Sequence, residues 1–239
     1  MENHNASPAY SAGTSLKGGS AEVDASMPKA AAPKWVSAVP IRSLANNQRS
    51  RIAAHLLGLN PPDRYLRFGY AANDEQIGRY VAGLDFERDE VFGIFNRKLE
   101  LIAFAHLAYS RDEAFNTCAE FGVSVVKSSR NRGYGARLFE RAAIHARNDG
   151  VTQIYIHALS ENTPMLKIAR AAGATVTRDG SESDAFLRLP GATLDSQISE
   201  IVQEQFAQAD YRMKQRARSF REFMAGMRVT AQESPDVEP

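Results

Sequence analysis

An α+β fold is predicted by the order of helical and strand-like patterns along this chain of 239 residues. Apolar residues recur at helical spacing in several separate segments. Runs rich in β-branched and aromatic residues lie between those segments, and some of the runs are separated only by short turns. Together these observations predict a mixed, mostly antiparallel sheet flanked by helices.

The individual elements follow in chain order. Strands are predicted for the segments 34–41, 90–96, 99–110, 118–126, 153–159, 174–178 and 185–189. Helices are predicted for the segments 43–57, 73–84, 133–148 and 163–172. Pro61 and Pro62 break the first helix, whereas Asn73 and Asn162 are typical N-cap residues for the second and fourth.

Four parts of the chain are distinguished by composition. Residues 1–33 are mostly Ala, Ser, Gly and Pro and are expected to be disordered. Residues 34–190 contain all the strand and helix patterns above and form one domain. Residues 191–228 repeat apolar side chains every three or four positions, which predicts an amphipathic helix or a helical pair. Residues 229–239 are expected to be a disordered tail.

Composition and charge exclude several classes of protein. A single cysteine, Cys118, rules out an internal disulfide framework and a cysteine-cluster zinc site, and the sequence offers no other metal constellation. A net charge of +1 argues against general attraction to nucleic acid or to a membrane surface. No apolar stretch approaches the roughly 20 residues that span a bilayer, and residues 1–33 lack a secretory apolar block. We therefore expect a cytoplasmic protein.

A glycine-containing turn follows the strand predicted over 118–126 and opens the next helix. Gly133 and Gly135 allow the backbone to approach a ligand, and the N–H groups of the helix N-terminus attract anions. Basic residues are abundant around this turn. Two common phosphate loops are excluded, because no Gly-Lys-Ser/Thr follows and Leu138 occupies the place of the third Rossmann glycine. The turn is therefore predicted to bind the pyrophosphate of a ligand that neither a P-loop nor a Rossmann loop binds.

The turn "RNRGYGA" over 130–136 resembles the Gln/Arg-x-x-Gly-x-Gly/Ala loop of the GNAT superfamily of acetyl-CoA-dependent N-acetyltransferases. The resemblance continues into "AEFGVSVV" upstream and "ENTPMLKIARAAGA" downstream and covers about residues 34–190. Within the superfamily, these segments and "DRYLRFGY" are most similar to the acetyltransferase domain of bacterial Pat-type protein lysine acetyltransferases. The large accessory domains of those proteins do not fit in this chain.

The resemblance implies a GNAT-like fold, acetyl-CoA as cosubstrate, and direct transfer of an acetyl group to a primary amine, including a protein lysine. Glu120 matches the general base, and a partly buried carboxylate suits that role. The implied acetyl-CoA contacts are Val123, Ser124 and Val125 for the pantetheine arm, Arg130, Asn131, Arg132, Gly133, Tyr134, Gly135 and Ala136 for the pyrophosphate, and Asn162 near the thioester. A backbone N–H near Val125 would meet the oxyanion.

One position departs from the wider superfamily. Many GNAT enzymes carry a tyrosine seven residues after this asparagine, as the acid that protonates the leaving thiolate, whereas this chain has Ala169. Tyr134 is no obvious substitute. Pat-like sequences also lack the tyrosine, so the departure is consistent with that branch.

Alternative explanations stay open for several residues. Asn162 serves as an N-cap, a cofactor contact or both. His157 is favoured as a structural residue over a catalytic one, and Cys118 lacks an evident histidine partner for a nucleophilic role. Arg64 and Arg67 are assigned to local packing, with an acceptor-binding groove as the alternative. The apolar stripe of 191–228 either packs on the domain or forms a homodimer. A noncatalytic acyl-CoA-binding module is the alternative to an enzyme.

Overall fold

The computed structural model describes residues 39–110 and 117–232, with side chains described as far as residue 222. Seven strands form one sheet: β1 (Arg42–Ser43), β2 (Glu90–Phe95), β3 (Leu101–Tyr109), β4 (Cys118–Val125), β5 (Gln153–Leu159), β6 (Thr175–Asp179) and β7 (Glu182–Arg188). Six α-helices accompany them: α1 (Arg49–Leu57), α2 (Pro61–Phe68), α3 (Asp74–Ala82), α4 (Tyr134–Asn148), α5 (Thr163–Ala171) and α6 (Leu194–Gln232). The α+β fold with a mixed, mostly antiparallel sheet is thus confirmed.

The strand order is β1-β2-β3-β4-β5-β7-β6, and every neighbouring pair is antiparallel except β4 and β5. Those two strands pair in parallel only from Cys118 to Glu120 against Gln153 to Tyr155. Beyond Glu120 no pairing joins them, although β4 continues to Val125 and β5 continues to Leu159. The two central strands therefore separate and leave a V-shaped opening within the sheet.

Apolar side chains on the two faces of the sheet form separate cores. On one face, Phe121 and Ile154 pack with Leu138 and Phe139 of α4. On the other face, Phe104 packs with Ile52 of α1 and with Ile77 of α3. Alternation along the strands produces this division, because successive side chains point to opposite faces. The helices on each side of the sheet therefore pack against buried side chains of the strands.

Two helix boundaries differ from the sequence prediction for reasons of local geometry. The first helix begins at Arg49 rather than at residue 43, because β1 and a short 3₁₀ turn over Asn46–Gln48 precede it. Pro61 and Pro62 do more than end the first helical pattern. They also start α2, since proline suits the first helical positions. The Asn60 side chain accepts a hydrogen bond from the Asp63 backbone N–H at 2.9 Å and completes that cap.

The other termini agree with the predicted capping residues. Asn73 and Gln76 form a reciprocal capping box at the start of α3. The Asn162 side chain accepts a hydrogen bond from the Met165 backbone N–H at 3.2 Å and caps α5. The region after residue 191 is one continuous helix, α6, rather than a helical pair. The predicted disordered stretch 1–33 lies outside the described residues, as does most of 229–239.

Candidate acetyl-CoA and acceptor site

A cavity of about 440 Å³ opens where β4 and β5 separate. It is lined by the second half of β4, the end of β5, the N-termini of α4 and α5, and one side of α2. Every predicted site residue except Arg132 lines this cavity. Arg132 is exposed on the turn outside it. The structure therefore brings together residues that are up to 42 positions apart in sequence, from Glu120 to Asn162.

The N-terminus of α4 presents unpaired backbone donors to the cavity. Gly133 is the N-cap with a positive φ of 74°, and no side chain caps this helix. The first intrahelical bond at this end is donated by the Arg137 N–H to the Gly133 carbonyl at 3.0 Å, so the N–H groups of Tyr134, Gly135 and Ala136 have no intrahelical acceptor. Such a helix terminus is suited to a phosphate.

The two glycines of the turn have different structural roles. Gly133 adopts a left-handed conformation, which few residues other than glycine adopt without strain, and a Cβ there would meet open space. A Cβ on Gly135 would lie 3.0 Å from the Ile168 side chain of α5. Gly135 therefore allows α4 and α5 to pack closely, whereas Gly133 leaves the approach to the helix terminus open.

The backbone of β4 offers a free strand edge inside the opening. The Val126 N–H donates to the Ile102 carbonyl at 3.0 Å, and the Ser110 N–H donates to the Cys118 carbonyl at 3.1 Å. Because hydrogen-bonded pairs alternate along an antiparallel ladder, the even-numbered residues of β4 bond to β3 and the odd-numbered ones face β5. Val123 thus directs its backbone N–H and C=O into the opening, and Val125 directs its N–H there, whereas the Val125 carbonyl already accepts from Arg130 at 3.1 Å.

Ser124 and Arg130 engage other parts of the protein. The Ser124 hydroxyl lies 2.8 Å from Nε2 of buried His55, whose Nδ1 lies 2.9 Å from the Leu101 carbonyl. Burial lowers the pKa of His55 to about 4, so its ring is neutral near pH 7. Arg130 donates to the Val125 carbonyl at 3.1 Å and pairs with Asp63 of α2 at 2.7 Å. Ser124 therefore contributes a wall rather than backbone donors.

Glu120 stands at the point where β4 and β5 separate. It is directly opposite Tyr155 on β5 and Ala108 on β3, and its side chain is exposed and lines the cavity. The expectation of a partly buried carboxylate is wrong, because the Glu120 side chain lies where the sheet opens into the cavity and is exposed. Within the described part of the chain no hydrogen bond or ion pair engages the Glu120 carboxylate, which is therefore accessible to a ligand.

Asn162 and His157 lie on the β5 side of the cavity. The Asn162 amide donates to the Leu66 carbonyl at 3.1 Å and accepts from Met165, so it joins α5 to α2 as well as capping α5. His157 Nδ1 lies 2.9 Å from Asp184, which also accepts the Tyr155 hydroxyl at 2.5 Å. These hydrogen bonds lower the pKa of Asp184 and keep it ionised. His157 is therefore held by a carboxylate and lines the cavity.

A series of polar side chains that the sequence does not predict ends at the cavity wall. Arg67 donates to the Tyr80 hydroxyl at 2.8 Å, and this hydroxyl lies 2.9 Å from His106 Nδ1. His106 Nε2 lies 2.9 Å from Asp89. Burial lowers the pKa of His106, although the hydrogen bond to Asp89 acts in the opposite direction. Because these groups come from α2, α3, β3 and the loop before β2, no local sequence pattern indicates this series of hydrogen bonds.

Neither a metal cluster nor a membrane helix accompanies this site. Across residues 39–110 and 117–232, no three His, Cys, Asp or Glu side chains are grouped to hold a metal ion. The helices in the same ranges include none with the length and apolarity that a bilayer crossing requires.

The sequence model of the acetyltransferase (GNAT) family matches residues 56–174, and the chain carries a domain of this family. The predicted enzyme class, an acetyl-CoA-dependent acetyltransferase, is confirmed at this level. Acetyl-CoA is the cosubstrate of GNAT enzymes, as the resemblance implied. The family assignment favours an enzyme over a noncatalytic binding module.

Solved structures share the fold at low sequence identity. The GNAT domain of S. lividans PAT is 21% identical with a TM-score of 0.54, and the match covers 62% of this chain and 89% of that one. The protein yncA from Salmonella typhimurium, solved with its cofactor acetyl-CoA, is 16% identical (TM-score 0.51; 66% and 97% covered). An acetyltransferase of the GNAT family from Streptococcus pneumoniae is 12% identical (TM-score 0.50; 63% and 98% covered). The search of curated proteins found no match.

Proposed function

We propose that this protein transfers an acetyl group from acetyl-CoA to a primary amine, with Glu120 as the general base. The observation that carries the proposal is the position of Glu120. Its accessible carboxylate shares one cavity with the free N-terminus of α4 and the open edge of β4. A nucleophile and a thioester that bind in this cavity would therefore meet beside a proton acceptor.

The donor would occupy the α4 side of the cavity. The free N–H groups of Tyr134, Gly135 and Ala136 suit a pyrophosphate, with the positive end of the helix dipole behind them. Val123 and Val125 would pair with the pantetheine arm as an added strand does. A free N–H of this edge would also stabilise the developing oxyanion. Asn162 would contribute mainly by positioning α5, since its amide is already engaged by Leu66 and Met165.

The reaction would proceed by direct transfer in a ternary complex. Glu120 removes a proton from the ammonium group of the acceptor, because only the neutral amine attacks a thioester. The nitrogen–carbon bond forms as the carbon–sulfur bond breaks, and the thiolate leaves with a proton returned through Glu120 or water. Ala169 is buried in α5 and carries no proton to donate, so this route needs no tyrosine at that position.

The finer proposals concern the acceptor and the setting. A protein lysine is proposed as an acceptor from the similarity of "AEFGVSV" and the α5 segment to Pat-type domains. A second copy of the chain is also proposed as a partner, on the separate evidence of α6. A cytoplasmic location is proposed from the single cysteine, which suits a reducing compartment.

The proposal is tested by measuring turnover. Wild-type protein is incubated with acetyl-CoA and a panel of small amines and lysine-bearing proteins, and the release of free thiol is followed together with acetylated product. We expect thiol release that depends on the acceptor and matches product formation. Tight acetyl-CoA binding without turnover on any amine would contradict the proposal and would support a noncatalytic acyl-CoA sensor.

A further inference from the structure

The guanidinium of Arg67 occupies space on β4 that other residues would fill with their own side chain. A Cβ on Gly122 would lie 2.8 to 2.9 Å from the terminal atoms of Arg67. Gly122 is two residues beyond Glu120, so both positions belong to the same face of the strand. Both also line the cavity, as does Arg67. The positive charge of Arg67 therefore lies on the cavity wall beside the proposed base.

A directed chain of hydrogen bonds holds Arg67 in this place. With His106 neutral, the Tyr80 hydroxyl donates to Nδ1 and Nε2–H donates to Asp89, which leaves the Tyr80 oxygen to accept from Arg67. The rings of Phe68 and Tyr80 pack against the guanidinium at 5.2 and 5.4 Å. These hydrogen bonds fix the orientation of Arg67 but place no carboxylate next to its guanidinium.

Arg67 lacks the ion pair that neighbouring arginines make. Arg64 pairs with Asp74 at 2.6 Å, and Arg130 pairs with Asp63 at 2.7 Å. No carboxylate within the described residues lies within 4 Å of the Arg67 guanidinium. Its Nε is buried and has no hydrogen-bond partner there. A buried N–H without an acceptor is unfavourable, and the guanidinium keeps hydrogen-bonding capacity that the bond to Tyr80 does not use.

We propose that Arg67 binds a carboxylate of a substrate held in the cavity beside Glu120. The inference rests on the proposed function, which it narrows to anionic substrates. A planar guanidinium with free donors binds a carboxylate through two parallel hydrogen bonds. The carboxylate belongs either to an acceptor of the amino-acid type or to a dicarboxylic acyl group on coenzyme A. Both sources present the same chemistry to Arg67.

Two pairs of probes distinguish the sources. The acceptor arm compares L-lysine with 1,5-diaminopentane, which lacks only the carboxylate, at fixed acetyl-CoA. The acyl arm compares succinyl-CoA with butyryl-CoA, which has the same chain length, at a fixed amine. Both arms are measured by kinetics and by calorimetric binding, the acceptor arm on protein saturated with coenzyme A. The calorimetric arm reports on Arg67 even when no turnover is found, so failure of the proposed function is distinguishable.

Arg67→Gln is compared with wild type and with Arg64→Gln, which removes a neighbouring arginine already paired to Asp74. In either the acceptor arm or the acyl arm, we expect Arg67→Gln to weaken binding of the carboxylate probe by about 10- to 100-fold. Binding of the matched probe without the carboxylate should be unchanged. Arg64→Gln should show no such discrimination. Equal losses for both members of each pair, or no preference for a carboxylate in wild type, would overturn the assignment.

A second variant covers the case in which Arg67→Gln fails to fold. Gly122→Ala places a methyl group where the guanidinium lies and should displace it without removing the charge from the chain. The same selective loss of carboxylate binding is expected. Normal carboxylate binding in Gly122→Ala would contradict a site built on this position of Arg67.

Helix α6 supports a second, independent inference. Its polar face packs against the domain, and its apolar face is exposed to solvent. Toward the domain, Glu200 accepts hydrogen bonds from Arg141 and His145, Glu204 lies 3.5 Å from Arg141, and Gln208 accepts from Arg42. Ala207 and Tyr211 are the buried apolar residues of this face. The predicted apolar stripe does not pack on the domain.

The opposite face of α6 exposes an apolar stripe of seven large side chains: Leu194, Ile198, Ile201, Val202, Phe206, Met213 and Phe220. They expose between 41% and 77% of their surface. Monomers rarely expose so many large apolar side chains together on one face. Such a face requires a partner.

The charges within the α6 stripe favour a second copy in antiparallel orientation. Asp195 lies at the start of the stripe, and Arg212 and Arg216 lie near its other end, all exposed. An antiparallel pair centred near Gln205 would place Asp195 of each copy beside the arginines of the other. We infer that the chain forms a homodimer through the α6 stripe in this orientation.

The test uses the full chain. Light scattering on wild type should show a dimer that Val202→Lys converts to a folded monomer. Leu57→Lys, which changes an exposed leucine of α1, should remain dimeric. Gln205→Cys should form an interchain disulfide on oxidation, whereas Leu194→Cys should not, because an antiparallel pair brings only the central residue against itself. A wild-type monomer, or crosslinking through Leu194→Cys, would overturn this inference.

Discussion

The two ends of the cavity present different kinds of chemical group to a ligand. At the α4 end, the ligand-facing groups are the backbone N–H and C=O of Val123, the Val125 N–H and the N–H groups of the first turn of the helix. At the Glu120 end, they are the side chains of Glu120, Arg67 and His157, which come from β4, α2 and β5. Under the proposed function, the backbone groups would bind the donor, and the side chains would select the acceptor and activate it.

The largest effect is expected at the Glu120 end. Glu120→Gln keeps the size of the side chain but cannot accept a proton, so turnover should fall by about 10²- to 10⁴-fold while acetyl-CoA affinity is unchanged. The loss should shrink at high pH, where more of the acceptor is already neutral. Rates on an identified amine across pH measure both effects.

Glu161→Gln is the matched control for Glu120→Gln, because Glu161 is an exposed carboxylate just after β5 that does not line the cavity. Its turnover should equal that of wild type. Full activity of Glu120→Gln at neutral pH would move the base elsewhere, with His157 as the next candidate.

A smaller effect is expected at the α4 end. Asn and Asp both tolerate a positive φ, so Gly133→Asn and Gly133→Asp differ mainly in charge. Calorimetry should show acetyl-CoA bound at least about 10-fold more weakly by the Asp variant, because its charge opposes the pyrophosphate and the helix dipole. Thermal unfolding of the two variants should be similar. Equal affinities would contradict a phosphate site at this turn.

The contacts between the far end of α4 and Glu200 of α6 concern stability rather than ligand binding. Burial alone would raise the pKa of Glu200, but hydrogen bonds from His145, Arg141 and Asn148 outweigh it and lower the pKa to about 2. Because this value lies below that of the unfolded chain, the stabilisation is present above about pH 4.5 and is lost as pH falls towards 2.

Glu200→Gln measures this contribution. The free energy of unfolding of wild type should fall by about 1–2 kcal/mol more than that of Glu200→Gln between pH 5 and pH 2, after allowance for partial exposure. Denaturant unfolding at each pH gives the comparison. Parallel losses in the two proteins would show that the Glu200 cluster does not anchor α6 to α4.

The smallest effect is expected at Asn162 and separates its two interpretations. Asn162→Ala should cost about 1 kcal/mol of stability through loss of the α5 cap, with little change in KM for acetyl-CoA. Asn162→Asp retains a good cap and should recover most of that stability. A large rise in KM with unchanged stability would instead identify a direct contact to the cosubstrate.

The α4 end could be predicted from the sequence because its groups are consecutive. A turn, two glycines and a helix start within 130–136 determine where the free N–H groups lie. The strands from β2 to β7 were also predictable, since their alternation of apolar residues reflects a buried face, whereas the strand predicted over 34–41 is replaced in the described residues by β1 at Arg42–Ser43. The start of α2 was not predictable, because Pro61 and Pro62 end one helix pattern and begin another, and both effects have the same local signature.

The Glu120 end could be predicted only in part. The motif identified Glu120, but its exposure depends on where β4 and β5 stop pairing, which no local pattern reveals. The chain from Arg67 through Tyr80 and His106 to Asp89 joins four positions spread over 40 residues of sequence. Its existence depends on the packing of α2 and α3 against the sheet, and the same holds for the inverted polarity of α6.

The most direct test of the division between the two ends measures acetyl-CoA affinity and single-turnover acetyl transfer in the same preparations of wild type, Gly133→Asp and Glu120→Gln. Gly133→Asp should bind the donor weakly and recover transfer when the donor concentration is raised. Glu120→Gln should bind the donor normally and stay slow at every donor concentration. If Glu120→Gln loses donor binding, or if Gly133→Asp binds normally, the two ends do not divide recognition and chemistry as proposed.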